Sequence, residues 1–247
     1  MTYMKSFKRF FTEQFYNDSL HPRFWDDQNQ LDPEARETLL KIARDVSEQA
    51  GVMNLITDIQ LTGSLANYNY TDYSDLDVHM LLDFKDVNSD EELVKSSLDG
   101  KRFVWNTRHN ISIGGVEVEV YFQDVDEPHM ASGLYSLLEG KWLREPVYDP
   151  PEVDAADVKT KAEQVERDID RLEQEVNSAE SGMDVERLQL ATTKIRKKIT
   201  RMRKDSLEKD GEFGVGNLAF KSLRNTGHIG RIIDLDSKLY DMQFISV

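Results

Sequence analysis

Asp75 and Asp77 stand one residue apart at the start of a short apolar segment that ends at Leu82. Successive side chains of a strand point to opposite faces, so both carboxylates would project from one face, about 6.6 Å apart along the strand. Carboxylates at this separation repel each other unless a cation lies between them. Mg²⁺ takes one or two carboxylates and completes its shell with water and substrate phosphates. The pair therefore indicates a divalent-metal site.

A glycine and a serine, Gly63 and Ser64, precede the aspartates and follow the apolar segment from Leu55 to Leu61. Glycine lets a phosphate approach the backbone closely, and the unpaired N–H groups at the start of a helix attract anions. The stretch from Ser64 to Tyr70 is long enough for two helical turns, and the Ser64 hydroxyl adds a donor. A phosphate-binding turn beside a metal site is the arrangement that phosphoryl or nucleotidyl transfer requires.

The order of these features resembles the signature of the DNA polymerase beta-like nucleotidyltransferase superfamily, which is an apolar strand, Gly-Ser, a short helix and Asp-x-Asp on the next strand. The resemblance covers about residues 50–125. It implies that Gly63 and Ser64 bind the nucleoside triphosphate. It also implies that Asp75 and Asp77 bind two divalent ions, Mg²⁺ or alternatively Mn²⁺, one beside the β- and γ-phosphates and the other on the acceptor oxygen.

The resemblance further implies a third carboxylate on a later strand. Val116 to Phe122 alternates apolar and polar residues and follows Gly114-Gly115, which suits a tight hairpin turn. On this strand Glu119 is the expected third carboxylate, which shares one metal and helps to activate the attacking hydroxyl. Glu117 lies on the same face and is the alternative.

The activity implied by the resemblance is that of an Mg²⁺-dependent nucleotidyltransferase, with Asp75, Asp77 and Glu119 as metal ligands and catalytic residues. An acceptor hydroxyl would attack the α-phosphate of a nucleoside triphosphate such as ATP and release pyrophosphate. Two alternatives stay open: a catalytically silent nucleotide-binding relative, and a bacteriophage structural or interaction protein that docks through its helical hairpin. The sequence contains no Walker-type phosphate loop and no Gly-x-Ser-x-Gly nucleophile elbow, so no other catalytic motif competes.

Other polar residues near this motif are weaker candidates. His79 shares the face of the aspartates, where a packing role is favoured over metal binding. Tyr68, Tyr70 and Tyr73 either stack on a nucleobase or pack against the protein itself. Asp72 precedes the strand and receives no role.

Composition limits the partners and the location of the protein. Its 31 Lys and Arg against 46 Asp and Glu give a net charge of −15, so any contact with nucleic acid has to be local. The absence of cysteine excludes disulfides, thiol nucleophiles and Cys-ligated metal sites. Because no segment reaches the roughly 18 apolar residues of a membrane span and the start lacks a signal peptide, we expect no membrane partner and a cytoplasmic location.

The surrounding elements predict an α+β fold, with a nucleotidyltransferase-type small mixed sheet flanked by helices and followed by a mostly helical C-terminal domain. A helix is predicted over 33–50, because Asp32 suits the N-cap and Pro33 the first helical position. The adjacent prolines at 150 and 151 predict a boundary between a catalytic domain, 1–150, and a helical domain, 151–247.

The C-terminal domain is predicted to contain a helical hairpin interrupted at Gly182, and a last helix from Leu218 to Leu239. The first arm carries four basic and ten acidic residues over 152–183, and the second carries nine basic and four acidic residues over 184–209. Two interpretations follow: the arms attract each other through ion pairs, or the second arm presents a basic surface to phosphates.

Lys194, Lys197 and Arg201 are the candidate phosphate-binding residues of this second arm. If they bind phosphates, the acceptor of the transfer is a nucleic-acid 3′ end held by the basic face over 194–204. A small molecule or a protein side chain is the alternative acceptor, because the overall acidity of the chain tolerates it better.

The N-terminal stretch carries an aromatic stripe, Phe7, Phe10, Phe11 and Phe15, whose spacing predicts a short amphipathic helix. The segment from Met4 to Glu13 resembles the start of many proteins of large tailed bacteriophages. If the chain is phage-encoded, the expected location is the host cytoplasm.

Overall fold

In a computed structural model, residues 16–129, 131–149, 153–178 and 182–245 are described. Over these ranges the protein has a mixed six-stranded sheet and seven α-helices, so the predicted α+β class is confirmed. The chain divides between residues 150 and 151 into two compact units. We call them the sheet unit, described over 16–129 and 131–149, and the helical unit, described over 153–178 and 182–245. The aromatic stripe and the phage-like segment of the N-terminus lie outside the described residues.

The sheet unit contains three α-helices and six strands within its described part. Two single-turn 3-10 helices, Met53–Leu55 and Ser64–Ala66, flank the first strand. The longer elements are α1 (Pro33–Ala50), β1 (Asp58–Thr62), β2 (Leu76–Leu82), α2 (Phe84–Val87), α3 (Glu91–Arg108), β3 (Ser112–Ile113), β4 (Val116–Asp124), β5 (Leu134–Ser136) and β6 (Lys141–Arg144).

Helix α1 begins where the Asp-Pro pair predicts. The Asp32 carboxylate accepts a hydrogen bond from the backbone N–H of Ala35 at 2.8 Å, and Pro33 occupies the first helical position. Leu39 and Ala43, which are fully buried, belong to the apolar stripe that packs against the sheet. The predicted span of this helix is therefore confirmed at both ends.

The strand order of the sheet is β3-β4-β2-β1-β5-β6. Strand β1 pairs antiparallel with β2 and with β5, whereas β2 pairs parallel with β4. A parallel pair needs a crossover connection, which α3 provides here. Strand β2 thus lies in the middle of the sheet, with β1 on one side and β4 on the other.

The two faces of the sheet differ in polarity. The face that packs against α1 and α3 consists of side chains at most 5% exposed: Ile59, Leu61, Leu76, Val78, Met80, Leu82, Val118, Val120 and Phe122. The opposite face carries polar and partly polar side chains: Gln60, Thr62, Asp77, His79, Glu119, Tyr121, Gln123 and Ser136. Burial of the apolar face stabilises the sheet, at about 1.5–3 kcal/mol for each fully buried large side chain. The polar face is where sequence analysis places the chemistry.

The helical unit consists of four α-helices in its described part: α4 (Ala155–Asn177), α5 (Gly182–Asp210), α6 (Val215–Asn225) and α7 (His228–Ile245). The predicted hairpin corresponds to α4 and α5. The prediction of a single last helix is wrong, because the chain breaks at Gly227, which has φ +79°. A left-handed residue cannot continue an α-helix, and it separates α6 from α7. Nowhere in the described ranges is a helix long and apolar enough to cross a membrane.

Candidate active site

The chain leaves β1 through a sharp bend at Gly63, which has φ +76°. A Cβ added at this position would lie 1.9 Å from Oδ2 of Asp77. Both the dihedral angle and the space therefore require glycine. As a result, the Asp77 carboxylate lies directly against the backbone of the bend.

The bend leads into a much shorter helix than the sequence predicts. Instead of two turns over Ser64 to Tyr70, a single 3-10 turn ends at Ala66. Asn67 is extended, and its side-chain oxygen accepts the N–H of Tyr68 at 2.7 Å. Asparagine competes in this way for backbone groups that a helix would use. A single 3-10 turn has little helix dipole, so a phosphate at this bend would depend on the backbone N–H groups of the bend itself.

A serine that sequence analysis overlooked connects the bend to the segment before the aspartates. The Ser64 hydroxyl donates to Oγ of Ser74 at 2.8 Å, and the same Oγ accepts the backbone N–H of Thr71 at 2.9 Å. Ser74 is 6% exposed. These bonds hold the two ends of the connecting loop together. A small hydroxyl residue just before Asp-x-Asp carried no distinctive signal in the sequence.

Asp77 and Glu119 are brought side by side by the sheet. They are register partners in the parallel pair of β2 and β4, while Thr62 is the partner of Asp77 on β1. Paired strands lie about 4.8 Å apart, and register partners project from the same face. Glu117 lies two residues before Glu119 on β4 and pairs with Ser112 on the edge strand β3. The register therefore favours Glu119 over Glu117 as a neighbour of Asp77.

Asp75 lies one residue before β2 rather than within it. Burial nevertheless alternates through this segment: Ser74 and Leu76 are buried, and Asp75 and Asp77 are partly exposed. Among the residues that the structure describes, no group of three or more His, Cys, Asp or Glu side chains is arranged so that it could hold a metal ion. Asp77 and Glu119 still supply two carboxylate positions, which is what Mg²⁺ takes from a protein when phosphates and water provide the other ligands.

His79 is held in a polar network farther along the same face. Its Nδ1 lies 2.6 Å from Oε1 of Gln123, whose amide donates to the carbonyl of Glu127 at 3.1 Å. The ring of Tyr121 lies 5.0 Å away, and that of His129 lies 6.0 Å away. These contacts support a packing role for His79.

Burial lowers the pKa of both histidines of this network, His79 and His129, below the ordinary value of 6.5. The hydrogen bond with Gln123 partly opposes the effect at His79. Below pH 6.5 these two imidazoles bind protons more readily in the unfolded chain than in the folded protein. We therefore expect the free energy of unfolding to fall as the pH decreases through this range. Above it, the imidazoles are neutral in both states and their contribution is fully present.

Urea unfolding at a series of pH values on both sides of 6.5 measures this dependence. The variant His129→Gln should show a smaller loss of stability on acidification than the parent protein, because one of the histidines that resist protonation in the folded state is gone. An equal loss in both proteins would contradict the prediction.

Of the three tyrosines near the motif, two pack against other aromatic rings and one is exposed. The Tyr68 ring packs against Tyr16 and Tyr148, with centroids 6.0 and 5.3 Å away, and the Tyr70 ring lies 4.8 Å from that of His21. Tyr73 is 59% exposed. Only Tyr73 of the three predicted tyrosines is thus open for stacking on a base.

Lys194, Lys197 and Arg201 belong to α5 of the helical unit, where all three line one groove. The neighbouring Lys198 also lines this groove and is paired with Asp168 of α4 at 2.8 Å. The ion-pair interpretation therefore describes part of the basic arm, and the phosphate-facing interpretation stays a prediction.

Comparison with known proteins adds no assignment to this geometry. No family model matches the chain, and neither a curated protein nor a solved structure is significantly similar to it.

Proposed function

We propose that the protein is a metal-dependent nucleotidyltransferase that transfers a nucleoside monophosphate from a nucleoside triphosphate to an acceptor hydroxyl. The observation that carries the proposal is the contact of the Gly63 bend with Asp77, whose register partner on the next strand is Glu119. A carboxylate against a phosphate-binding bend would repel the substrate unless a cation neutralises it. The arrangement therefore suits a site at which metal and phosphate bind together.

The metal in this proposal is Mg²⁺, or alternatively Mn²⁺, which Asp77 and Glu119 would hold. The predicted third ligand, Asp75, would join them only after a rearrangement, because the described carboxylates form no group of three that could hold a metal ion. When bound, the metal would neutralise phosphate charge and polarise the acceptor oxygen. Transfer of this type depends mainly on positioning and electrostatic stabilisation. The backbone N–H groups at Gly63 would hold phosphate oxygens, and the Ser64 hydroxyl would do so on exchanging its hydrogen bond to Ser74 for one to phosphate.

The proposed reaction forms a bond between the acceptor oxygen and the α-phosphorus and breaks the bond from that phosphorus to the bridging oxygen of the β-phosphate. Pyrophosphate leaves with the electron pair of the broken bond. Glu119 accepts the proton of the acceptor hydroxyl as general base. A cytoplasmic location, where nucleoside triphosphates and Mg²⁺ occur, is part of the proposal.

The choice between the two glutamates of β4 can be measured. Glu119→Gln should lower the transfer rate by about 100-fold or more, as expected for loss of a general base, whereas Glu117→Gln should retain most of the activity. Both side chains are exposed, so neither change should disturb the fold. The reverse order of effects would assign the role to Glu117.

Incubation with each of the four α-labelled triphosphates, Mg²⁺ or Mn²⁺ and a cell extract tests the function itself. Transfer of label to a macromolecule or a metabolite, with release of unlabelled pyrophosphate, is the expected result. Absence of transfer from every triphosphate would reject the enzymatic proposal.

A catalytically silent nucleotide-binding protein is the second candidate. The observation in its favour is that the described carboxylates form no group of three able to hold a metal ion. Calorimetry with each triphosphate in the presence and absence of Mg²⁺ separates the candidates from a structural protein. Both nucleotide-binding candidates predict heat on addition of a triphosphate, and only the enzyme also predicts that this heat depends on Mg²⁺ and that label is transferred.

A further inference from the structure

The helical unit contains a groove of about 650 Å³ between α4, α5 and the start of α6. Its lining is strongly basic, with Lys161 from α4 and the following residues from α5: Lys194, Lys197, Lys198, Arg201 and Lys209. Two acidic residues, Asp205 and Asp210, also line it. The groove is thus a concentration of positive charge in a chain whose net charge is −15.

Most of these six cations do not stabilise the fold through ion pairs. Lys198 is paired with Asp168, and Arg201 lies 3.3 Å from Asp205 one turn along the same helix. The Arg201–Asp205 pair is largely exposed, and such pairs contribute little to stability. The other four lysines of the groove make no ion pair with any residue that the structure describes: Lys161, Lys194, Lys197 and Lys209.

Lysines clustered at exposed positions repel one another, and binding of an anion between them relieves this repulsion. Salt bridges between the helices show that acidic side chains are available in this unit: Arg231 of α7 pairs with Asp170 and Glu173 of α4. Four of the five groove lysines are therefore left without such a partner among the described residues, although the unit is rich in carboxylates.

The basic surface extends beyond a single groove. A second groove of about 620 Å³ shares Lys197 and Arg201 with the first and adds Arg196 and Lys204. From Lys194 to Lys209, the surface runs about 22 Å along α5 at 1.5 Å per residue. Phosphates of one duplex strand follow each other at about 3.4 Å along the axis, so the surface spans about six of them. A single triphosphate uses only a fraction of this length.

Neither groove lining includes an aromatic side chain among the described residues. Proteins that bind single strands rely on aromatic side chains on which bases stack. Flexible ammonium groups without a stacking platform suit the phosphate backbone of a duplex, which is recognised mainly through its charge.

We propose that this surface of the helical unit binds the phosphate backbone of a nucleic-acid duplex. If the 3′ end of this duplex is also the acceptor of the transfer, the duplex is the acceptor class of the proposed nucleotidyltransferase, and that part of the proposal rests on the proposed function. The binding itself requires neither triphosphate nor metal at the sheet unit.

The test uses the full chain and labelled nucleic acids of equal length, without triphosphate or divalent metal: an RNA duplex, a DNA duplex and a single-stranded RNA. Fluorescence anisotropy is recorded between about 50 and 200 mM salt. We expect the duplexes to bind more tightly than the single strand, with affinity falling steeply as salt rises. The RNA and DNA duplexes identify which helix form the surface prefers.

The double variant Lys194→Glu/Lys197→Glu should bind the preferred duplex at least about tenfold more weakly and reduce the slope of log affinity against log salt by about two. The matched control Arg171→Glu/Lys238→Glu changes the net charge of the same unit equally at exposed positions outside both grooves. It should bind like the parent protein. Thermal unfolding of both variants checks that they remain folded.

Equal binding by the two double variants, tighter binding of the single strand, or no duplex binding at the lowest salt would overturn the proposal. Binding only to vesicles containing phosphatidylserine would also overturn it and would assign the surface to anionic lipid. The variant Asp77→Asn should retain duplex binding. Label transfer without duplex binding therefore rejects only this inference, and duplex binding without transfer rejects only the proposed enzyme.

Discussion

Replacing Asp77 with asparagine should lower nucleotidyl transfer by about 1,000-fold or more, which corresponds to about 4 kcal/mol of transition-state stabilisation. Asp77 is the carboxylate that lies against the Gly63 bend and beside Glu119. Asparagine keeps the size and shape of the side chain, so the bend retains its packing while the negative charge is lost. Transfer from an α-labelled triphosphate measures the effect.

Asp72→Asn is the matched control for this variant. It makes the same chemical change five positions earlier at an exposed residue to which no role is assigned. The control should transfer label at the parental rate, and both variants should unfold at similar urea concentrations. Undiminished turnover by Asp77→Asn would reject the assignment of this site.

Replacing Gly133 with alanine should destabilise the sheet unit by about 2–3 kcal/mol. A Cβ at this position would lie 1.8 Å from the carbonyl oxygen of Ala66, in the 3-10 turn that follows the bend. This contact is with backbone, so no side chain can rotate to relieve it. The Thr62 hydroxyl also donates to the carbonyl of Gly133 at 3.1 Å, and a shift here would disturb the end of β1. Urea unfolding measures the loss.

Gly100→Ala is the control for this stability prediction. Gly100 lies within α3, and a Cβ there would have no atom within 4 Å. Alanine favours a helix over glycine by about 1 kcal/mol, so this variant should be more stable than the parent. The two alanine variants are thus expected to change stability in opposite directions, and a stable Gly133→Ala protein would contradict the close packing described here.

The sequence predicts those features that depend on neighbouring residues. The start of α1 follows from Asp32 and Pro33, and strand β2 follows from its alternation and length. The end of the helix after the bend was not predictable from periodicity, because Asn67 turns its side chain back to the backbone. The break at Gly227 was missed because apolar residues continue at helical spacing on both sides of it.

The candidate site itself could be predicted only in part. Gly63, Ser64 and the two aspartates are close in sequence, and their order suggested a common role. The partnership of Asp77 with Glu119 depends on parallel pairing of β2 with β4, for which the sequence contains no local signal. Contacts of this kind are set by the packing of the whole sheet.

The parallel pairing of β2 and β4 also has a consequence for the order in which the protein forms. Asp77 and Glu119 are 42 positions apart in the chain. Closing the loop between them costs conformational entropy before the pairing of β2 with β4 can stabilise the sheet. During synthesis the aspartates leave the ribosome well before their glutamate neighbour. A nascent chain therefore meets the repulsion between Asp77 and Glu119 only when β4 is synthesised, together with the buried apolar residues Val118 and Val120 of the same strand.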